Sequence, residues 1–203
     1  MLQTQTIQPK LLELLNKIMS TDVFNGFNLV GGTSLALQLG HRISVDIDMF
    51  GNSDIDEIEF VTQLSKFGKV TVIKKSKSII IFSIDGIKVD FVNYNYPLLE
   101  QIMIFDNIRL VSDKDVAAMK LNAIAGRGSR KDFIDLYFLM KKYTLKEMLS
   151  YYNQKYTDGS AFMVIKSLSY FDDAEKEAMP VMLQNVSWET MKNSILKEAQ
   201  NLN

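Results

Sequence analysis

Gly31-Gly32-Thr33-Ser34-Leu35-Ala36-Leu37-Gln38-Leu39-Gly40-His41-Arg42-Ile43-Ser44-Val45-Asp46-Ile47-Asp48-Met49-Phe50 decides how the chain folds. Three local signals stand here in one order. Phe27-Asn28-Leu29-Val30 reads as a short strand, which Gly31-Gly32 breaks. Thr33-Ser34 then opens a short helix through Leu39, since hydroxyl residues favour helix starts. From Ile43 to Phe50 the pattern alternates, with Ile43, Val45, Ile47 and Met49 on one strand face and Ser44, Asp46 and Asp48 on the other.

Asp46 and Asp48 are separated by one residue, so a strand projects both to one side, roughly 6–7 Å apart. Carboxylates so placed repel one another unless a cation neutralises them. Magnesium suits the setting, because it takes a few carboxylates together with phosphate oxygens and water. With two such ions about 3.5–4 Å apart, one activates an acceptor hydroxyl and the other steadies the leaving pyrophosphate. The glycines let backbone approach a triphosphate. The helix opening at Thr33-Ser34 offers free N–H groups and the positive end of its dipole. Arg42 and Ser44 flank the acids and are further candidate nucleotide contacts. Asp90, in Ile87-Lys88-Val89-Asp90-Phe91-Val92, faces away from the apolar Ile87, Val89 and Phe91. If its strand neighbours that of Asp46 and Asp48, three candidate metal ligands converge. Taken singly, the glycine pair also fits a strand-to-helix turn, and the acids a solvated strand face.

Outward from this stretch, the chain changes character. Strands and turns fill residues 28–96, with Asp85-Gly86 a two-residue hairpin turn between strands at 78–84 and 87–94. Ahead of them, Leu11, Leu12, Leu15 and Ile18 mark a first amphipathic helix over 9–19. From Ser112 helices dominate. Ser112 with Asp115 resembles a capping box, and Gly126-Arg127-Gly128 interrupts two helices. Further helices are expected over 145–154, 159–170 and 187–200. This order predicts an α+β protein: a mixed-sheet lobe with flanking helices over 1–110, then a helical lobe over 111–203 that completes a cleft. Arg127, Arg130 and Lys131 put local positive charge on the glycine-containing loop, suited to phosphates or an RNA backbone. Asp132 and Asp135 share a helix face, and Lys131 lies four residues from Asp135.

The 203 residues carry a formal net charge of -1, so any nucleic-acid surface must be a local basic patch. There is no cysteine, which excludes a disulfide framework and is compatible with a reducing, cytoplasmic setting. A single histidine, His41, cannot build a histidine-based triad or zinc cluster. No apolar run reaches the roughly 18 residues of a membrane span, so no membrane partner is expected.

Residues 31–50 resemble the first motif of the AbiEii toxin family, within the polymerase-β-like nucleotidyltransferase superfamily. Met119-Lys120-Leu121-Asn122-Ala123, then Arg127 and Arg130-Lys131-Asp132-Phe133-Ile134-Asp135-Leu136-Tyr137, are similar to that family's lysine motif and basic Asp-x-x-Asp-Leu helix. The resemblance covers residues 28–139. It implies a polymerase-β-like sheet, Mg²⁺ as cofactor and a nucleoside triphosphate as donor. It further implies Asp46 and Asp48 as metal ligands, Lys120 as a phosphate or transition-state contact, and Asp132 or Asp135 as a further catalytic acid. Relatives act as toxins of type IV toxin–antitoxin or abortive-infection systems, opposed by a separate antitoxin, and some add nucleotides to tRNA. Nucleotidyl transfer to a small molecule or protein, and a non-catalytic binding module, remain the competing readings.

Overall fold

The computed structural model describes residues 1–202. Its centre is a mixed seven-stranded sheet made of β1 (Asn28–Leu29), β2 (Ile47–Gly51), β3 (Val70–Lys75), β4 (Ile79–Ile84), β5 (Ile87–Asn93), β6 (Met103–Phe105) and β7 (Ile108–Leu110). The spatial order is β3-β4-β5-β2-β1-β7-β6. β2 runs antiparallel to β1 and parallel to β5, with Asp48 opposite Asp90. The β4–β5 hairpin turns at Asp85 and Gly86, both at positive φ. Period-two alternation then sorts the central strands. Ile47, Met49, Val89 and Phe91 are fully buried on one face, while Asp48 and Asp90 stand half-buried on the other.

The buried face is covered by α1 (Pro9–Met19), through Leu11, Leu14, Leu15 and Ile18. That i, i+3, i+4, i+7 stripe is the apolar face of a surface helix. Phe24, Phe27, Phe60 and Phe91 form its aromatic centre, with ring centroids 4.9–5.7 Å apart. Such pairs add about 0.5–1.5 kcal/mol each beyond their burial.

Past β7 come α4 (Asp113–Gly126), α5 (Arg130–Leu139), α6 (Leu145–Lys155), α7 (Ala161–Ser167), α8 (Asp172–Glu175) and α9 (Trp188–Gln200). They close a second core around Val116, Leu121, Phe133 and Leu136. Between the cores lies α2 (Gly31–Leu39), whose Leu37 enters the first and Leu35 the second. Gly40, in the left-handed conformation at φ 67°, ends α2. Among the described residues no helix is long and apolar enough to cross a membrane.

Several boundaries differ from the sequence reading. The strand expected from Ile43 starts only at Ile47. Residues 41–44 are held by other backbone: Ile43 N–H donates to Val181 O (2.8 Å), Leu183 N–H to His41 O (2.9 Å) and Ser44 N–H to Thr6 O (2.8 Å). Val45, which alternation placed on the apolar face, is 50% exposed. α2 begins at Gly31 rather than Thr33. The helix expected over 159–170 is confined to α7, and the short α8 beyond it was not anticipated. α3 (Glu57–Leu64) and the three-residue strands β6 and β7 were not anticipated. α3 buries only Phe60 and Leu64, and three residues are too few to show a period.

Candidate active site

Backbone register places the acids. Asp48 and Asp90 are paired across parallel strands, whose spacing is about 4.8 Å. Gly31 opens α2 directly against them, at φ 67°, and a Cβ there would lie 2.3 Å from Asp48 Oδ2. Glycine is therefore required twice, by conformation and by the carboxylate. Burial pushes the Asp48 carboxyl up to about 6, reinforced by the charge of Asp90 and opposed by Lys88 and Lys120. Lys88 Nζ reaches Asp90 Oδ2 at 2.6 Å, whereas Asp90 Oδ1 is buried with no hydrogen-bond partner among the described residues. This pair holds more negative charge than its surroundings neutralise. Two carboxylates with an unclaimed oxygen fit Mg²⁺, which needs only one or two from protein when phosphates supply the rest.

Behind the pair lies a saturated ionic cluster. Arg42 grips Asp135 with two hydrogen bonds, Nε at 2.7 Å and Nη2 at 2.9 Å. His41 Nε2 lies 2.8 Å from the same carboxylate. Lys120 Nζ bridges Asp135 (2.7 Å) and Asp132 (2.9 Å). Arg127 and Ser129 complete Asp132, each with a bond at 2.8 Å. Both acids are fully buried. Burial alone would raise their carboxyls. The cations outweigh it: Lys120 and Arg127 hold Asp132, and Arg42 and Lys120 hold Asp135, well below the usual carboxylate range. Burial would likewise discharge Lys120, but Asp135 and Asp132 hold it above its ordinary value, so it stays an ammonium.

Two arms of one cleft meet at Asp48, Lys120, Arg127 and Asp132. One, of about 430 Å³, is polar and is lined by Gly32, Arg42, Ser44, Asp46 and Lys131. The other, of about 400 Å³, runs past Asp90 to Phe50, Tyr94, Met119 and Tyr156.

Most of the expected residues thus line one cleft, but not all in the roles expected. Asp46 precedes β2, and among the described residues no three His, Cys, Asp or Glu side chains are grouped closely enough to hold a metal ion. The compact trio is therefore a pair, with Asp46 in the polar arm. Thr33 and Ser34 are fully buried and turn inward. Thr33 Oγ1 donates to the Asp46 carbonyl and is hydrogen-bonded to the Ser44 hydroxyl (2.8 Å), while Ser34 Oγ accepts from Gln38. Neither hydroxyl is left to serve phosphates, and the Ser34 N–H is already given to Val30 O (3.3 Å). Arg130 points away, to the Ala174 carbonyl (2.8 Å), Glu175 and the Trp188 ring. Lys131 does not pair with Asp135, whose oxygens are taken; it lines the polar arm. Phe50, Tyr94, Met119, Asn122 and Tyr156 were missed, since single residues scattered over β2, α4 and the ends of β5 and α6 carry no sequence pattern.

A carboxylate pair beside a glycine-opened helix, on a mixed sheet backed by helices, is an arrangement that suits nucleotidyl transfer. Residues 13–201 match the family described as nucleotidyl transferase AbiEii toxin, type IV TA system, and the chain belongs to that family. The match runs well beyond residues 28–139, through the C-terminal helices. An uncharacterized protein of Aquifex aeolicus is 42% identical over 171 residues, covering 81% of this chain and 83% of that one. Among solved structures, the fold is shared with JHP933 from Helicobacter pylori (TM-score 0.60, 17% identity, 95% of this chain and 88% of that). It is shared also with MenT4, a nucleotidyltransferase toxin of Mycobacterium tuberculosis (TM-score 0.52, 14% identity, 96% and 83%).

The two electrostatic environments predict opposite mutational effects. The native Asp48 carboxyl titrates above its ordinary value, so the folded chain holds that proton more tightly than the unfolded one. Its charge destabilises the fold above about pH 6, and the penalty fades as pH falls toward 4. In chelator, Asp48→Asn is expected to raise Tm at pH 8, by on the order of 1–2 kcal/mol of stability, and to change little at pH 4. An unchanged or lower Tm at pH 8 would mean that the charge is already compensated. Asp135→Asn is expected to lose roughly 3–5 kcal/mol in denaturant unfolding at pH 8, because it strands buried Arg42 and Lys120. Its native carboxyl is depressed, so wild-type stability from this group is present above the ordinary carboxylate range and declines as pH falls below it. Near-wild-type stability of Asp135→Asn would remove the cluster from its structural role.

Proposed function

We propose that this enzyme moves a nucleoside monophosphate from a nucleoside triphosphate to a hydroxyl of an RNA acceptor, tRNA in the first instance. It does so as a cytoplasmic toxin restrained by a separate antitoxin protein. The observation that carries the reading is the in-register Asp48–Asp90 pair against Gly31, with one Asp90 oxygen buried and unclaimed. Asp48 and Asp90 would hold Mg²⁺, while Asp46 stands apart from them in the polar arm. When bound, the ion neutralises carboxylates and phosphates and makes the acceptor hydroxyl more acidic.

The chain's own groups do the rest. The first-turn amides of α2, at Gly31 and Gly32, have no intrahelical partners and face the phosphates with the positive end of the dipole. Arg127 and Lys131 grip the β- and γ-phosphates, with Arg42 and Ser44 behind them in the polar arm. Lys120, held charged by Asp132 and Asp135, sits where the two arms meet and opposes the negative charge that grows on the leaving pyrophosphate. Asp132 and Asp135 act by positioning Lys120, Arg127 and Arg42. The acceptor oxygen bonds to the α-phosphorus as the bond to pyrophosphate breaks, and its proton leaves to solvent. The lobes 1–110 and 111–203 are proposed as the two walls of this cleft.

Support for an RNA acceptor comes from charge. Residues 66–88 carry six lysines (Lys66, Lys69, Lys74, Lys75, Lys77, Lys88) and one acid, Asp85, in a chain of net charge -1. β3 and β4, which span most of this segment, form the sheet edge next to β5. Lys69, Lys74 and Lys77 are exposed. A polyanion following this edge reaches the carboxylate pair without crossing acidic surface from β3 or β4.

Incubation with each α-labelled triphosphate, Mg²⁺ and unfractionated tRNA is expected to label the RNA. Asp48→Ala and Asp90→Ala should each reduce labelling by at least about a thousandfold. Label on protein or on a small molecule instead would move the acceptor. A wild type without Mg²⁺-dependent triphosphate binding would sink the enzymatic reading. The paired change Lys74→Ala/Lys77→Ala is expected to weaken tRNA binding and to lower the slope of log K against log salt by roughly two. The KM for triphosphate should not change; an unaltered salt slope would take the lysine edge out of the acceptor surface.

A further inference from the structure

We propose that the second arm of the cleft is a nucleobase slot, walled by Phe50, Tyr94 and Tyr156 and edged by Asn122, and that it takes the base of the donor triphosphate. The inference rests on the nucleotidyl-transfer reading and adds the part of the substrate that the carboxylates and cations do not touch. Strand geometry supplies the first argument. Phe50 follows Asp48 by two residues and Tyr94 follows Asp90 by four, so rings and acids share one sheet face. At the usual strand rise the rings lie about 7 Å and about 13 Å beyond the acids. The backbone keeps that register past β5, because Tyr94 N–H donates to Gly51 O at 2.8 Å. Cationic groups, carboxylate pair and aromatic wall therefore follow one another in the order triphosphate tail, α-phosphate, base.

The slot is also built rather than incidental. The Phe50 and Tyr94 rings lie 5.1 Å apart, and Tyr96 packs edge-on against Tyr156 at 4.7 Å. The Tyr94 and Tyr156 hydroxyls are hydrogen-bonded to each other. Beneath Tyr94 stands Lys155, 1% exposed, its Nζ 5.4 Å from the ring centroid. That ammonium donates to Pro97 O (2.6 Å) and Asp115 Oδ1 (2.7 Å), and Asp115 accepts from Leu99 N–H (3.0 Å). A buried ion pair gains little stability over apolar residues of equal volume. Here it fixes the chain leaving β5, and so the pose of Tyr94. Flat aromatic faces stack any base, and the exposed Asn122 amide both donates and accepts toward a base edge.

The test is equilibrium binding to the full chain with Mg²⁺. The probes are non-hydrolysable nucleoside triphosphates, inorganic triphosphate, and a short oligoribonucleotide with a free 3′-hydroxyl. Wild type is expected to bind at least one nucleoside triphosphate tenfold or more tighter than inorganic triphosphate. Phe50→Leu and Tyr94→Leu should each remove about tenfold of that advantage while leaving inorganic triphosphate within twofold. Tyr94→Phe, which keeps the ring, should retain it. If Tyr94→Leu fails to fold, Phe50→Leu against Tyr94→Phe decides alone. Unchanged nucleotide affinity in the leucine variants overturns the proposal. Loss confined to the oligoribonucleotide also overturns it, and assigns the slot to the acceptor's terminal base. A wild type that binds neither inorganic triphosphate nor nucleotide overturns the nucleotidyl-transfer reading itself, and the slot with it.

Discussion

The Asp135 carboxylate, buried between Arg42, His41 and Lys120, ties together segments that lie far apart in the chain. Arg42 stands in the loop from α2 to β2, Lys120 on α4 and Asp135 on α5, so one ionic cluster joins the loop that leads into β2 to two of the C-terminal helices. The backbone agrees with this clamp. Residues 41–43 leave the sheet and bond instead to 181–183, which is why β2 begins late and why Val45 faces solvent. Such a cluster gains little net energy when intact, but becomes strongly unfavourable when one partner is lost. Its physical effect is therefore positional. It sets where Lys120 and Arg127 stand relative to β2 and β5.

Aspartates in one cleft carry opposite electrostatics. Asp132 and Asp135 are more deeply buried than Asp48, yet they are the acids held ionised, because cations meet them at 2.7–2.9 Å. Asp48 has Asp90 as its neighbour and only more distant lysines, so burial wins and its carboxyl rises. Depth alone decides neither case; the partner's charge does. The saturated acids suit a fixed scaffold, and the undercompensated pair suits a cation arriving with substrate. Both glycines are pressed by this arrangement. A side chain on Gly31 would strike the Asp48 carboxylate, and one on Gly32 would strike Arg42 Nη2, which is bound to Asp135.

The C-terminal helices matter to the cleft although residues after Tyr143 show no motif. Tyr156 closes its aromatic arm, Lys155 supports Tyr94, and Glu175 with Trp188 takes Arg130 away from the cleft. This accounts for a family match that extends to residue 201 rather than ending with the basic helix.

Local chemistry made much of this legible before any coordinates. Period-two alternation placed Asp48 and Asp90 on one face, Asp85-Gly86 announced the hairpin between β4 and β5, and Gly31-Gly32 marked the turn into α2. These are properties of neighbouring residues, with ranges of a few ångströms. What tertiary structure alone decided involves partners far apart in the chain. Arg42 meets Asp135 across 93 positions, and Lys155 meets Pro97 across 58. Whether an aspartate binds a cation, anchors a lysine or faces water depends on which charges the fold brings within about 4 Å, and no sequence period encodes that distance.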